Sequence, residues 1–165
     1  MQKFIIILLI LIVSGCSKEK NPLIIKEKDL ELQMIDSYRD GIENLEKGDG
    51  LTAAKNFNEA ELLYPQSSWA PKSALMAAYS YYSSAYYRDS INELEMFIKK
   101  YPSNKRLDYA HFLLAMSYYQ SIVDEKKDIE PLLKSREKFI YVVENFPNTD
   151  FALDARFKLD LILEI

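Results

Sequence analysis

The sequence predicts an all-α fold, a solenoid of about three and a half helix-turn-helix repeats. Tyr64-Pro65, Tyr101-Pro102 and Phe146-Pro147 each close a helical pattern, 37 and 45 residues apart. Independently, Ala78-Tyr79-Ser80-Tyr81-Tyr82 recurs as Ala115-Met116-Ser117-Tyr118-Tyr119, again 37 residues on. Two unrelated markers thus share one period, the signature of a repeat architecture. No segment sustains the two-residue alternation of a half-buried strand, and no Asn-Gly or Asp-Gly pair lies between alternating runs, so sheet is not expected.

In chain order, the first element is a targeting segment. Residues 1–15 carry Lys3 ahead of ten uninterrupted apolar residues, Phe4 to Val13. That run is too short to span a bilayer, which takes about 20 helical residues, but it has the length of a secretory signal core. Val13-Ser14-Gly15-Cys16 then resembles the bacterial lipobox, as against an uncleaved anchor or a cysteine merely near a peptidase site. That resemblance implies a diacylglyceryl group on the Cys16 thiol, cleavage just before it and acylation of the new amino terminus. Several acyl chains together hold a protein on a membrane stably. Ser17 stands where an Asp favours inner-membrane retention in enteric-type bacteria, so the lipobox resemblance points to the outer membrane. Residues 16–28 are charged and broken by Pro22, as suits a lipidated tether.

Residues 29–165 form the repeat domain, with units at about 29–66, 67–103 and 104–148 and a partial unit at 149–165. Ala70, Ala74, Ala77, Ala78 and Tyr81 recur at helical spacing, as do Ile91, Leu94, Phe97, Ile98 and Tyr101, which predicts two amphipathic helices. Gly48-Asp49-Gly50 falls where one helix ends and the next begins. The second interval, which spans the third unit, is longer by eight residues, and the polar stretch Asp124 to Glu130 accounts for the excess as a loop. The final stretch Leu159 to Ile165 is apolar on more than one face.

A two-helix unit of about 34 residues closed by proline resembles the tetratricopeptide repeat. Counting back from Pro65, the small-residue site of that repeat's first helix falls on Gly41, and its second-helix sites fall on Ala53, Phe57 and Ala60. The second unit holds Ala78, Tyr81, Ser90, Leu94 and Phe97 at these sites, and the third holds Ala115, Tyr118, Ser135 and Phe139. Small residues there let helices cross closely, and a ring fills the space beside them.

A lipobox followed by such repeats, with features in this order, resembles the BamD family of outer-membrane protein assembly factors. The residues that carry the likeness are the Tyr64-Pro65 closure, Tyr79-Ser80-Tyr81-Tyr82, the stretch Phe97 to Pro102 and Asp108-Tyr109-Ala110. They continue with Glu130-Pro131 ending an acidic insertion, Phe139, Phe146-Pro147-Asn148-Thr149 and Asp154-Ala155-Arg156. The resemblance implies a non-enzymatic lipoprotein on the periplasmic face of the outer membrane. Its partners would be the barrel-forming subunit, the other lipoproteins of the assembly machinery and unfolded outer-membrane protein segments. Family members usually carry five repeats, the last of which dock the barrel-forming subunit; this chain reads as shortened at its C-terminus. A second reading is a pilotin-like lipoprotein that localises a secretin or pilus component. A third is an enzyme accessory or cell-envelope hydrolase.

The resemblance places a binding face on the first helices of successive units. In the same register that face carries Tyr38, Ile42, Tyr79, Tyr82, Tyr109, Phe112, Met116 and Tyr119, an aromatic surface suited to an extended or helical peptide. The competing reading makes these rings inter-repeat core.

Composition narrows the remaining chemistry. A formal charge of −4, from 21 Lys+Arg against 25 Asp+Glu, offers no basic excess for a phosphate backbone, so nucleic acid is not an expected partner. The single cysteine cannot form an internal disulfide. Neither a G-x-x-x-x-G-K-[ST] nor a G-x-G-x-x-G pattern is present. His111 is the only histidine and reads as structural. Ser73, Ser80 and Ser117 occupy packing positions with no general base placed beside them. No catalytic residue, metal-ligand set or cofactor is expected.

Overall fold

The computed structural model describes residues 22–122 and 128–164, which form seven α-helices and no strand. They are α1 (Pro22–Glu46), α2 (Gly50–Leu63), α3 (Ala70–Ser83), α4 (Tyr87–Lys100), α5 (Leu107–Gln120), α6 (Glu130–Asn145) and α7 (Asp150–Leu163). Each helix packs against the next in the chain, and the first helices of adjacent units also approach, α3 on α5 and α5 on α7. The helix-turn-helix solenoid expected from the repeats is therefore present. Helix α1 starts at Pro22, so residues 22–28, expected as tether, have helical backbone. Proline is well placed there, because the first helical position needs no N–H donor. Glu130, expected as the end of the inserted loop, opens α6, with Pro131 in its first turn.

Two kinds of stop shape the chain. After the first helix of a unit, the chain turns through the left-handed region. Gly48 has φ +81°, Gly48 N–H donates to Leu45 O, and Asp49 N–H donates back to Asn44 O. Asp49 then caps α2 by accepting from Thr52 N–H at 3.0 Å. The second unit repeats this stop without glycine. Ala85 takes φ +63°, its N–H donates to Tyr82 O, and Tyr86 N–H donates to Tyr81 O. After the second helix of a unit, an aromatic-Pro pair ends the pattern, since proline supplies no N–H and clashes with a continuing helix. Tyr101 and Phe146 are thus the last residues to donate into their helices, to Phe97 O and Val142 O.

Three buried clusters fill the spaces between helices. One gathers Ala53, Ala54, Phe57 and Ala77; the second Leu94, Phe97, Leu113 and Leu114 with their neighbours; the third Ala115, Phe139, Val142, Ala155 and Ile162. Counted back from each closing proline, Phe57, Leu94 and Phe139 are equivalent and fully buried, as are Ala60, Phe97 and Val142. In the first unit the Phe57 ring sits against Gly41, where an added Cβ would lie 2.8 Å from Cε1. Glycine is required there by close approach rather than by backbone angle.

The small sites Ala53, Ser90 and Ser135 are all 0% exposed. Ser90 Oγ lies 3.0 Å from Ala78 O and 3.0 Å from Ser117 Oγ, and Ser117 Oγ is 2.8 Å from Leu113 O. The two hydroxyl protons can fill two of these three contacts at a time, in a buried cluster that gathers α3, α4 and α5. In the third unit the equivalent Ser135 Oγ has no partner. The residue 27 positions on, which is Ser117 for Ser90, is Ile162 for Ser135.

This contrast predicts opposite outcomes for two identical substitutions. Ser90→Ala should cost about 1 kcal/mol of unfolding free energy in urea, the value of a satisfied buried hydrogen bond. Ser135→Ala should leave stability unchanged or raised, and a loss as large as that of Ser90→Ala would show that the Ser135 hydroxyl has a partner. Separately, Ala85→Gly should raise stability by about 0.5–1 kcal/mol, because glycine removes the Cβ clash of a left-handed residue. The same unfolding curves check it.

Candidate functional site

On α3, Lys72, Leu75, Met76 and Tyr79 follow one another at spacings of three, one and three, and so share one side of the helix. Across from them the chain approaches α5 through Asn104, Lys105 and Arg106, and Tyr109 lies in the first turn of that helix. Asn104 shapes the approach, accepting from Arg106 N–H at 2.9 Å through Oδ1 and from Leu107 N–H through its carbonyl. Between the two helices lies an open groove of about 620 Å³, lined by these residues with Ser68 and Pro71.

The groove joins an apolar wall to a cationic mouth. Leu75, Met76, Tyr79 and Tyr109 supply the wall, and Tyr79 is 38% exposed. Lys72, Lys105 and Arg106 supply the charge, and among the described residues no Asp or Glu lines the groove, although acids outnumber bases in the chain as a whole. The N-terminal ends of α3 and α5 add their partial positive charge. Lys72 Nζ stands 4.5 Å above the Trp69 ring and 5.1 Å above Tyr38, which holds its charge beside aromatic faces. Burial, with a smaller contribution from Tyr79, pushes the Tyr109 phenol up to about 12. At neutral pH it therefore remains a hydrogen-bond donor. Such a groove accepts a ligand with aromatic or apolar bulk beside an anionic group.

The structure brings together two of the eight residues expected on the binding face, Tyr79 and Tyr109. The other six lie half-buried among neighbouring helices. Tyr38 meets Phe57 and Trp69 edge-on at 5.1 Å each, with Ile42 packed beside it. Tyr82 packs on the central cluster and against Tyr87. Phe112 sits between Phe139 and Phe151, and Met116 and Tyr119 complete the third cluster, with Lys158 Nζ 5.1 Å over the Tyr119 ring. The cations at the groove were not identified from sequence. Lysines on a helix resemble any solvated face, and what sets these apart is that, among the described residues, no carboxylate joins them in the groove's lining, which only the fold reveals.

His111 lies against Tyr141 and Phe146, with ring centroids 4.4 and 5.8 Å away. Burial, aided by the Lys138 charge, holds its pKa below the usual imidazole range, so it packs as a neutral ring at pH 7. No helix among the described residues is long and apolar enough to cross a membrane. Cys16 lies outside the described residues.

Residues 30–165 match the model of a family described as YfiO, outer membrane lipoprotein. The chain is 35% identical over 152 residues to the outer membrane protein assembly factor BamD of Caulobacter vibrioides, covering 91% of this chain and 48% of that protein. It is 33% identical over 152 residues to the protein of the same name from Rickettsia prowazekii, covering 92% of this chain and 59% of the relative. A further relative of that name, from Pasteurella multocida, is 24% identical over 153 residues, covering 87% of this chain and 56% of its own length. The chain thus spans about half the length of these relatives. With three helix pairs and a seventh helix among the described residues, and a match that reaches every one of them, this chain belongs to the YfiO/BamD family of outer membrane lipoproteins.

Proposed function

We propose that this chain is a non-enzymatic lipoprotein subunit of the machinery that folds and inserts outer-membrane β-barrel proteins. In this reading, diacylglyceryl-modified Cys16 anchors it to the periplasmic face of the outer membrane. The solenoid scaffolds the complex beside the barrel-forming subunit and its companion lipoproteins, and the groove between α3 and α5 receives segments of unfolded barrel proteins. The relatives' shared name, outer membrane protein assembly factor, favours this reading over a pilotin role.

The single observation that carries the substrate part is the composition of the groove, Tyr79 and Tyr109 beside Lys72, Lys105 and Arg106 with no carboxylate among them. Barrel strands alternate apolar and polar residues, with aromatic girdles at the membrane interfaces. Their ends therefore present exposed rings to a partner before insertion, and a chain end adds a carboxylate. Rings would lie on Leu75, Met76 and the two tyrosines, while the carboxylate would meet the cations at the mouth. Burying an aromatic side chain supplies the attraction, and the charges set direction and register.

Titration of the folded, unlipidated chain with a fluorescent peptide of alternating aromatic residues ending in a free carboxylate tests this. Tyr79→Ala should weaken binding about tenfold or more, as expected for loss of an aromatic contact of 1–2 kcal/mol, and leave the melting temperature nearly unchanged. Tyr119→Ala should lower the melting temperature, since that ring packs on Phe139, and bind normally where still folded. Unchanged affinity in Tyr79→Ala, or an equal loss of fold, would remove the groove from the proposal. Amidating the peptide terminus should weaken binding and flatten its salt dependence.

A further inference from the structure

The second helices of the first two units, α2 and α4, enclose a separate cavity of about 270 Å³ that shares no lining residue with the groove. Its floor is Ala74 and Phe97, 4% and 1% exposed. Two carboxylates stand in its walls, and their situations differ. Glu61 is compensated: its Oε1 accepts from Lys100 Nζ at 2.6 Å and from Tyr101 OH at 2.6 Å. Glu93 is not. Its Oε1 accepts from Asn58 Nδ2 at 2.8 Å, and among the described residues no cation pairs with it.

The surroundings make that lack costly. Glu93 is half-buried, its charged neighbours Glu61 and Asp89 have its own sign, and burial is the largest influence raising its carboxyl pKa. The same cavity holds a second unmet demand, because Asn58 Oδ1 is shielded from solvent and has no donor. A buried acceptor left without a donor is a stability cost that a ligand can remove. Beside the opening, Leu62 and Met96 are 75% and 55% exposed on adjacent helices.

We propose that this cavity receives an arginine side chain of a partner protein, carried on a segment whose flanking apolar residue covers Leu62 and Met96. Charge complementarity selects a cation, because the only lysine lining the cavity is already held by Glu61. The apolar lip selects a polypeptide over a free ion. Arginine suits the walls better than lysine: a planar guanidinium presents donors in a fork that matches the two oxygens of the Glu93 carboxylate. A membrane surface is a poor occupant, since anionic headgroups would meet two carboxylates. The groove proposed above to receive substrates and this cavity would therefore engage different partners at the same time, from different pairs of helices.

The probe for the test is the acetylated, amidated tripeptide Leu-Arg-Leu, with Leu-citrulline-Leu as its uncharged isostere, added to the folded, unlipidated chain carrying methyl-labelled methionine and labelled side-chain amides. The arginine peptide should shift the Met96 methyl and the Asn58 amide and leave the groove's Met76 methyl in place. The citrulline peptide should bind about tenfold or more weakly, the loss expected when a charged hydrogen bond is removed. Glu93→Gln, which keeps the shape and the Asn58 contact, should abolish the preference for arginine without lowering the melting temperature, while Tyr79→Ala should leave arginine binding intact. Equal binding of the two peptides, an unaltered preference in Glu93→Gln, or shifts confined to Met76 would each overturn the proposal. Concentration-dependent shifts at Met96 without peptide would assign the cavity to a second copy of the chain and overturn it as well. Because the groove is read by Tyr79→Ala and the cavity by Glu93→Gln, failure of one leaves the other standing.

Discussion

Everything in this solenoid depends on helices approaching closely at positions that hold almost no side chain. Gly41 touches the Phe57 ring, and Ala53, Ser90 and Ser135 have no exposed surface. A helix pair cannot bury its own apolar face, so each unit must lend a surface to the next. The close crossing brings the backbones near enough for one ring or one branched chain per unit to fill the remaining space. Sites that exchange volume do so in pairs: Phe57 with Ala60, Leu94 with Phe97, Phe139 with Val142. Each pair sets one ring beside one aliphatic residue, and two alanines there would leave a void.

This constraint explains why the fold was legible and the site only in part. Repeat closure is written in local chemistry, an aromatic-Pro pair, and the small sites follow from counting back from it. Gly41, Ala78, Ala115 and the second-helix positions therefore came out of the sequence in their structural roles. The inward-facing rings did not separate so cleanly. A tyrosine at helical spacing satisfies the pattern equally as wall of a groove or as filling between units, and only the crossing geometry leaves Tyr79 open while covering Tyr119. Cations and carboxylates were less legible still. Their meaning lies in which charges are absent nearby, and Lys72 comes to face Lys105 and Arg106 across more than thirty residues of chain.

The same geometry sorts charge. An acidic chain concentrates three cations and no carboxylate around the groove of the first helices, and an under-compensated carboxylate between the second helices. Local composition, not net charge, decides what each surface accepts. The formal charge of −4 argues against a phosphate backbone along the whole molecule, yet says nothing against an anionic group at one groove. Two-sided sorting of this kind is what a scaffold needs if it is to hold a transient substrate while remaining bound to a permanent neighbour, because like charges on each surface repel the other surface's ligand.

Ser135 shows how a repeat register constrains one residue through another unit altogether. A serine at the crossing is tolerable in the second unit because Ala78 O and Ser117 Oγ lie within reach, and Ser117 in turn donates to its own helix at Leu113 O. The Ser90 proton needs only one of these acceptors to be satisfied. In the third unit the following position is Ile162, 6% exposed and apolar, and the Ser135 hydroxyl is enclosed without a partner. The branched side chain fills the crossing where the smaller serine would leave room, and the gain in apolar burial offsets an unmet hydrogen bond of about 1–3 kcal/mol. Packing has taken precedence over polar satisfaction at this crossing, as expected wherever close approach of the helices is the condition on which the rest of the stack is built.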